Sequence, residues 1–179
     1  MTTFVALLRA VNVSGRNSIP MTELRGALED YGLRAVETYV QSGNVVFEAD
    51  GDDTAAQGAG VRDAIRVAFG HDVAVIALTA AELAVVAVGN PFSPVAEKTL
   101  HVTFLDRPVE EAAFGGVQLP AAPGEAAVLA PGGSCIYLHL PHGYGRTKLN
   151  NAWFERALRV RATTRNLRTV LALVEMSAR

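Results

Sequence analysis

The chain has 179 residues, half of them apolar, with one cysteine and a formal net charge of −2. That composition supplies a core for one domain or two small ones, and it excludes a disordered chain and a disulfide-stapled scaffold. No apolar stretch approaches the roughly 20 residues that span a bilayer. The opening MTTFVALLRAVNVSG has no basic segment ahead of its apolar run, so a cytoplasmic protein without a cleaved leader is expected.

Residues 3–9 read as a strand, followed by a polar loop over residues 10–19 and by Pro20, which suits the first position of a helix. Leu24, Ala27, Leu28 and Tyr31 recur at helical spacing until Gly32 stops the helix. Residues 35–40 and 45–49 are rich in β-formers, and Gln41-Ser-Gly-Asn44 between them signals a hairpin. Residues 50–60 are polar and glycine-rich and read as a loop containing the solvated turn of Asp52 and Asp53. Val61, Ile65, Ala68 and Phe69 then form a second helical stripe ended by Gly70. Residues 73–78 read as a strand covered on both faces, and Thr79 with Glu82 forms a capping box for a short helix. The order is β-α-β-β-α-β.

Residues 91–98 read as a linker, separating a first unit over 1–90 from a second over 99–179. The second opens with a strand at 100–105 and a short helix at 108–114. Strands at 126–130 and 135–140 then flank the turn Pro131-Gly-Gly133. Thr147 is expected to cap a helix through about Leu158, and Thr164 a final helix bearing Leu167, Val170, Leu171 and Val174. The closing strand is expected to be missing or very short. The fold class is therefore α+β: a tandem pair of ferredoxin-like split β-α-β units, the second imperfect and ending in a helix.

Several segments in this order resemble one bacterial family, that of domain of unknown function 1697. They are Val5-Ala-Leu-Leu-Arg9, Asn12-Val13, Gly15, Asn17, Ile19-Pro20-Met21 and Gln41-Ser-Gly-Asn-Val-Val-Phe47, then Gly145-Arg-Thr-Lys-Leu149, Asn151 and Ala162-Thr-Thr-Arg-Asn166. The chain departs from the usual pattern at Ala10 and Ser14, where glycines are typical, and at Leu167, where an aromatic is more common. The resemblance implies a two-unit fold of α and β elements and supplies no reaction, cofactor or partner.

In a split β-α-β unit the first strand runs parallel to the second with the third between them, so the end of the first strand and the hairpin tip share one sheet edge. Arg9, Asn12, Arg16 and Asn17 are thereby expected beside Gln41, Ser42, Gly43 and Asn44, a set suited to a phosphate, a carboxylate or a base edge. The competing structural reading is that Asn and Ser bond their own backbone in turns and that Arg9 ties the loops together. A second candidate is Gly143-Tyr-Gly-Arg-Thr-Lys148, where Arg146 and Lys148 would flank a helix N-terminus. Lys148, Asn151, Glu155 and Arg159 fall on one stripe of that helix, which also fits a plain solvated face. Thr163-Thr-Arg-Asn166, with Arg165, offers a weaker version of the same feature. Antiparallel packing of successive helices is expected to hold these two N-termini apart.

His101 and His139-x-x-His142 invite a metal reading, with His101 and His139 expected on one sheet face. No carboxylate or cysteine is spaced to complete such a site, so no metal is assigned. Cys135 lies in a strand-like run with no adjacent cation and reads as a buried structural thiol. The local motifs of hydrolases, zinc proteases, dithiol oxidoreductases and dinucleotide-binding enzymes are absent, and no reaction or cofactor follows from the residues.

Charge divides the chain: residues 1–135 carry eight basic and sixteen acidic side chains, residues 136–179 eight basic and two acidic. That asymmetry fits attraction between the two parts of the chain or an anionic partner, and a small anionic molecule is the expected one. The alternatives are nucleic acid on the basic C-terminal quarter and a protein-interaction module. Against nucleic acid stand the net negative charge and the lack of an aromatic-rich strand for stacking bases.

Overall fold

The structure is a computed structural model that describes residues 1–92 and 95–179. Ser93 and Pro94, the centre of the expected linker, lie outside the described residues. The chain forms two compact units, one of Met1–Ala84 with Leu173–Arg179 and the other of Val85–Ala172.

The first unit runs β1 (Thr2–Leu8), α1 (Met21–Asp30), β2 (Arg34–Tyr39), β3 (Asn44–Ala49), α2 (Thr54–Phe69), β4 (Val75–Thr79) and the start of α3 (Ala80–Val88). Its sheet has the order β2-β3-β1-β4 with antiparallel neighbours. That is the split β-α-β arrangement: β1 parallel to β2, with β3 inserted. Phe4, Ala6, Leu8, Val45 and Phe47 line one face and join Leu24 and Leu28 of α1 and Val61, Ala64 and Ile65 of α2 in one core. Each fully buried Leu, Ile or Phe there contributes about 1.5–3 kcal/mol relative to an exposed one.

Helix α2 begins at Thr54, seven residues earlier than the apolar stripe predicts. Asp53, expected in a solvated turn, is its N-cap, its carboxylate accepting from the Ala56 N–H at 3.0 Å. The glycines that suggested a loop have a packing role instead. At Gly58 a Cβ would lie 3.4 Å from the Val75 carbonyl, so its bare backbone lets α2 approach β4 closely. The capping box at Thr79 is complete: the Glu82 N–H donates to Thr79 Oγ1 at 3.2 Å, and the Thr79 N–H donates back to Glu82 Oε2 at 2.8 Å.

The second unit contains β5 (Leu100–Leu105), α4 (Glu111–Gly115), β6 (Ala126–Leu129), β7 (Cys135–His139), α5 (Asn151–Leu158), β8 (Ala162–Asn166) and most of α6 (Leu167–Ser177). Its order, β6-β7-β5-β8, repeats the first sheet element for element. The irregular member is α4, reduced to five residues. The closing strand, expected as missing or very short, is β8, five residues in register with β5 from His101↔Asn166 to Leu105↔Ala162. Thr164 therefore sits mid-strand, and Asn166 is the residue whose side chain caps the start of α6, accepting from the Thr169 N–H at 2.8 Å.

Helix α5 likewise starts later than expected. Asn150, not Thr147, is its N-cap, accepting from the Trp153 N–H at 3.0 Å. Thr147 instead ends a single 3-10 turn over Tyr144–Arg146, held by Glu125. Cys135 is fully buried, and burial pushes its thiol up to about 11, which fits an inert structural cysteine.

Candidate functional site

The rim of the first sheet is built where β1 ends. The Leu8 N–H donates to the Gly43 carbonyl at 2.8 Å, joining the strand end to the hairpin tip. Asn12 then clamps the loop: its amide donates to the carbonyls of Ile19 and Gln41, each at 2.9 Å, while its Oδ1 accepts from the Ile19 N–H at 2.8 Å. The Asn17 amide donates to the Ala10 carbonyl at 3.1 Å. Asn44 is fully buried, its amide donating to the Tyr39 carbonyl at 2.9 Å and to Ser42 Oγ at 3.2 Å. The expected convergence of residues 9–17 with residues 41–44 is thus present. Within it, Asn12, Asn17 and Asn44 hold backbone, whereas Arg16, Gln41 and Ser42 are exposed and Arg9 is half-buried.

Backbone strain concentrates on this rim. Ala10, Asn12, Ser14, Asn17 and Val40 all have φ between 47° and 56°, and they are five of the seven non-glycine residues with positive φ among the described residues. Asparagine tolerates that region, but Val40 is β-branched and pays the full steric cost. Val40 is also a position that a sequence reading passes over, since a β-branched residue does not announce a left-handed turn.

The second unit carries a polar cluster that sequence reasoning did not assemble. Thr164 donates to Asn151 Oδ1 at 2.7 Å and lies 2.8 Å from the Thr103 hydroxyl, which is left to act as the donor of that pair. The Asn151 N–H donates to the Tyr144 hydroxyl at 3.2 Å, and the Tyr144 ring stacks on His101 with centroids 5.6 Å apart. His101 Nδ1 is buried without a hydrogen-bond partner among the described residues. Burial lowers the His101 pKa, and the backbone of Thr99 opposes that shift.

This cluster corrects three expectations. The segments around Asn151 and Thr164 meet, because the intervening strand β8 reverses the chain and returns its end to the start of α5. Arg146 and Lys148 are exposed but precede α5 instead of flanking its N-terminus, and Arg159 is its left-handed C-cap, so the expected stripe through Lys148 and Arg159 does not exist. Finally, Leu100 pairs with His139 and His101 with Leu138, so the register sets His101 and His139 on opposite faces of the sheet. A one-residue shift in pairing inverts every facing relation.

Arg165 is buried. Its guanidinium donates to Thr163 Oγ1 at 2.8 Å and to the Thr164 carbonyl at 3.0 Å. Burial lowers its pKa to about 10, which leaves it charged at neutral pH. No group of three His, Cys, Asp or Glu side chains comes together among the described residues.

Fold and rim define the class: an α+β protein of two ferredoxin-like units whose first sheet ends in a strained, arginine-bearing loop. The chain belongs to the family described as Protein of unknown function (DUF1697), matched over residues 1–137. It is similar to the solved structure of the conserved bacterial protein SP0830 from Streptococcus pneumoniae. The two are 22% identical, with a TM-score of 0.70 over 100% of this chain and 99% of that one, a likeness of fold. No curated protein matches. No helix among the described residues is long and apolar enough to cross a membrane.

Proposed function

We propose that the rim formed by residues 9–17 and 41–44 binds a small anionic or polar molecule. The observation that carries this reading is the concentration of left-handed non-glycine residues there. Such conformations cost about 1–2 kcal/mol each and persist only where the surroundings hold them. Here Asn12, Asn17 and Asn44 act as positioning residues, spending their amides on backbone carbonyls. Arg9 and Arg16 supply the positive charge, and Gln41 and Ser42 supply directed hydrogen bonds. In the second unit Arg146, Lys148, Asn151 and Arg165 are the corresponding candidates for an anion. Of these, Arg146 and Lys148 are exposed, while Asn151 accepts a hydrogen bond from Thr164 and Arg165 donates one to Thr163.

A thermal-shift screen of nucleotides, sugar phosphates and small carboxylates tests the proposal, since a ligand bound to the native state alone raises Tm. The expected result is a shift by at least one phosphate- or carboxylate-bearing compound that Arg9→Ala with Arg16→Ala abolishes and Lys148→Ala preserves. A shift that survives in the double variant places the ligand elsewhere, and no shift with any compound removes the reading.

A further inference from the structure

The strand edges of the two sheets are protected unequally. At the outer edge of the first sheet, β2 carries Arg34 and Glu37, and its pairing with β3 shifts register between those two residues, an irregularity that discourages a further strand. In the second unit, the Ala162 N–H of β8 is capped by Glu155 Oε1 at 3.1 Å. Strand β6 has neither device. Its sequence Ala-Ala-Val-Leu is uncharged, its register with β7 is regular, and no strand is hydrogen-bonded to its other side among the described residues.

Antiparallel pairing fixes which main-chain groups point outward. The Ala130 N–H donates to the Cys135 carbonyl, and Val128 pairs with Tyr137, so by alternation Ala126 and Val128 turn their N–H and C=O groups toward β7. Those of Ala127 and Leu129 point away. Beside them lies a groove of about 880 Å³, floored by Phe114, Ala127 and Leu129 and bordered by Glu110 and Glu111, both exposed.

We infer that β6 is a docking edge for an extended peptide segment of a partner protein whose groove-facing positions, every second residue, combine apolar with basic side chains. Unpaired strand groups call for an extended backbone, and side chains on one face of such a strand fall into the apolar groove. The two carboxylates select Lys or Arg. They also disfavour a second copy of this chain, because joining β6 to β6 would bring four carboxylates to one junction.

The probe is a short fluorescent peptide in which every second residue is in turn valine or lysine, with threonine at the positions between, read by anisotropy against the same peptide with glutamate for lysine. Ala127→Pro deletes one outward N–H while leaving the β6–β7 ladder intact, a position where edge strands accept proline. Wild type is expected to bind the lysine peptide, to reject the glutamate peptide, and to show slowed amide exchange at Ala127 and Leu129. Loss of one directed main-chain bond in Ala127→Pro should weaken binding about tenfold. Glu110→Lys with Glu111→Lys should weaken it too, and more at low salt than at high. Should Ala127→Pro misfold by far-UV circular dichroism, the amide protection in wild type decides. Absence of binding at millimolar peptide, equal affinity for both peptides, or full affinity in a folded Ala127→Pro overturns the inference. So does concentration-dependent dimerisation that protects these same amides.

Discussion

At the scale of single residues, the rim shows how conformational cost and geometry trade off. Ala10 and Ser14, at φ of 56° and 50°, occupy left-handed positions that glycine adopts without steric penalty. Replacing either by glycine relieves about 1–2 kcal/mol of steric strain and adds about 0.5–1 kcal/mol of chain entropy. Ala10→Gly and Ser14→Gly should therefore each raise stability by about 0.5–1 kcal/mol in urea denaturation. The reverse change at Gly43 meets two obstacles: φ is 81°, and a Cβ would sit 2.8 Å from the Leu8 Cβ. Gly43→Ala should lose about 2 kcal/mol or more in the same measurement. His101 provides the pH dependence. Because burial lowers its pKa below 6.5, the native chain takes up this proton at a lower pH than the unfolded chain does. Between 6.5 and the lowered native value the unfolded state binds more protons, so stability rises with pH across that window and falls on acidification. The drop in urea midpoint from pH 7.5 to pH 5 should be larger in wild type than in His101→Gln; equal drops would mean that the imidazole titrates alike in both states.

Among the elements, those with a local signature were the ones legible in sequence. Thr79 and Glu82 form the reciprocal cap that their spacing predicts, and Thr79→Ala should cost about 1 kcal/mol, with amide exchange quickened first in α3. Strand β8 is the contrary case. Ala162-Thr-Thr-Arg-Asn166 reads as a helix start because Thr and Asn favour caps, yet β-branched Thr163 and Thr164 also favour strands, and pairing with β5 decides between the two. The same override applies to α2, where the glycines in the Thr54–Phe69 helix are tolerated because Gly58 allows close packing on β4. At the rim, the meeting of Asn12 with Gln41 was legible from topology. The assignment of each amide to a carbonyl was not, since short polar side chains carry no sequence mark of which backbone group they will bond.

For the whole molecule, the last seven residues belong to the first unit although they follow the second in the chain. Leu173 among them is fully buried. Truncation after Ala172 should therefore destabilise the protein by about 2–5 kcal/mol, the usual cost of emptying a leucine site, and a truncated chain with an unchanged urea midpoint would contradict that membership. Apolar periodicity and turn residues determined by themselves the β-α-β-β-α-β order of the first unit and the opening β-α-β-β of the second, because those signals act over a few neighbouring residues. Which strand completes the second sheet, which faces His101 and His139 occupy, and which asparagines are spent on the backbone were decided only in three dimensions. Each depends on register and closure between segments tens of residues apart, where a shift of one position changes every partner.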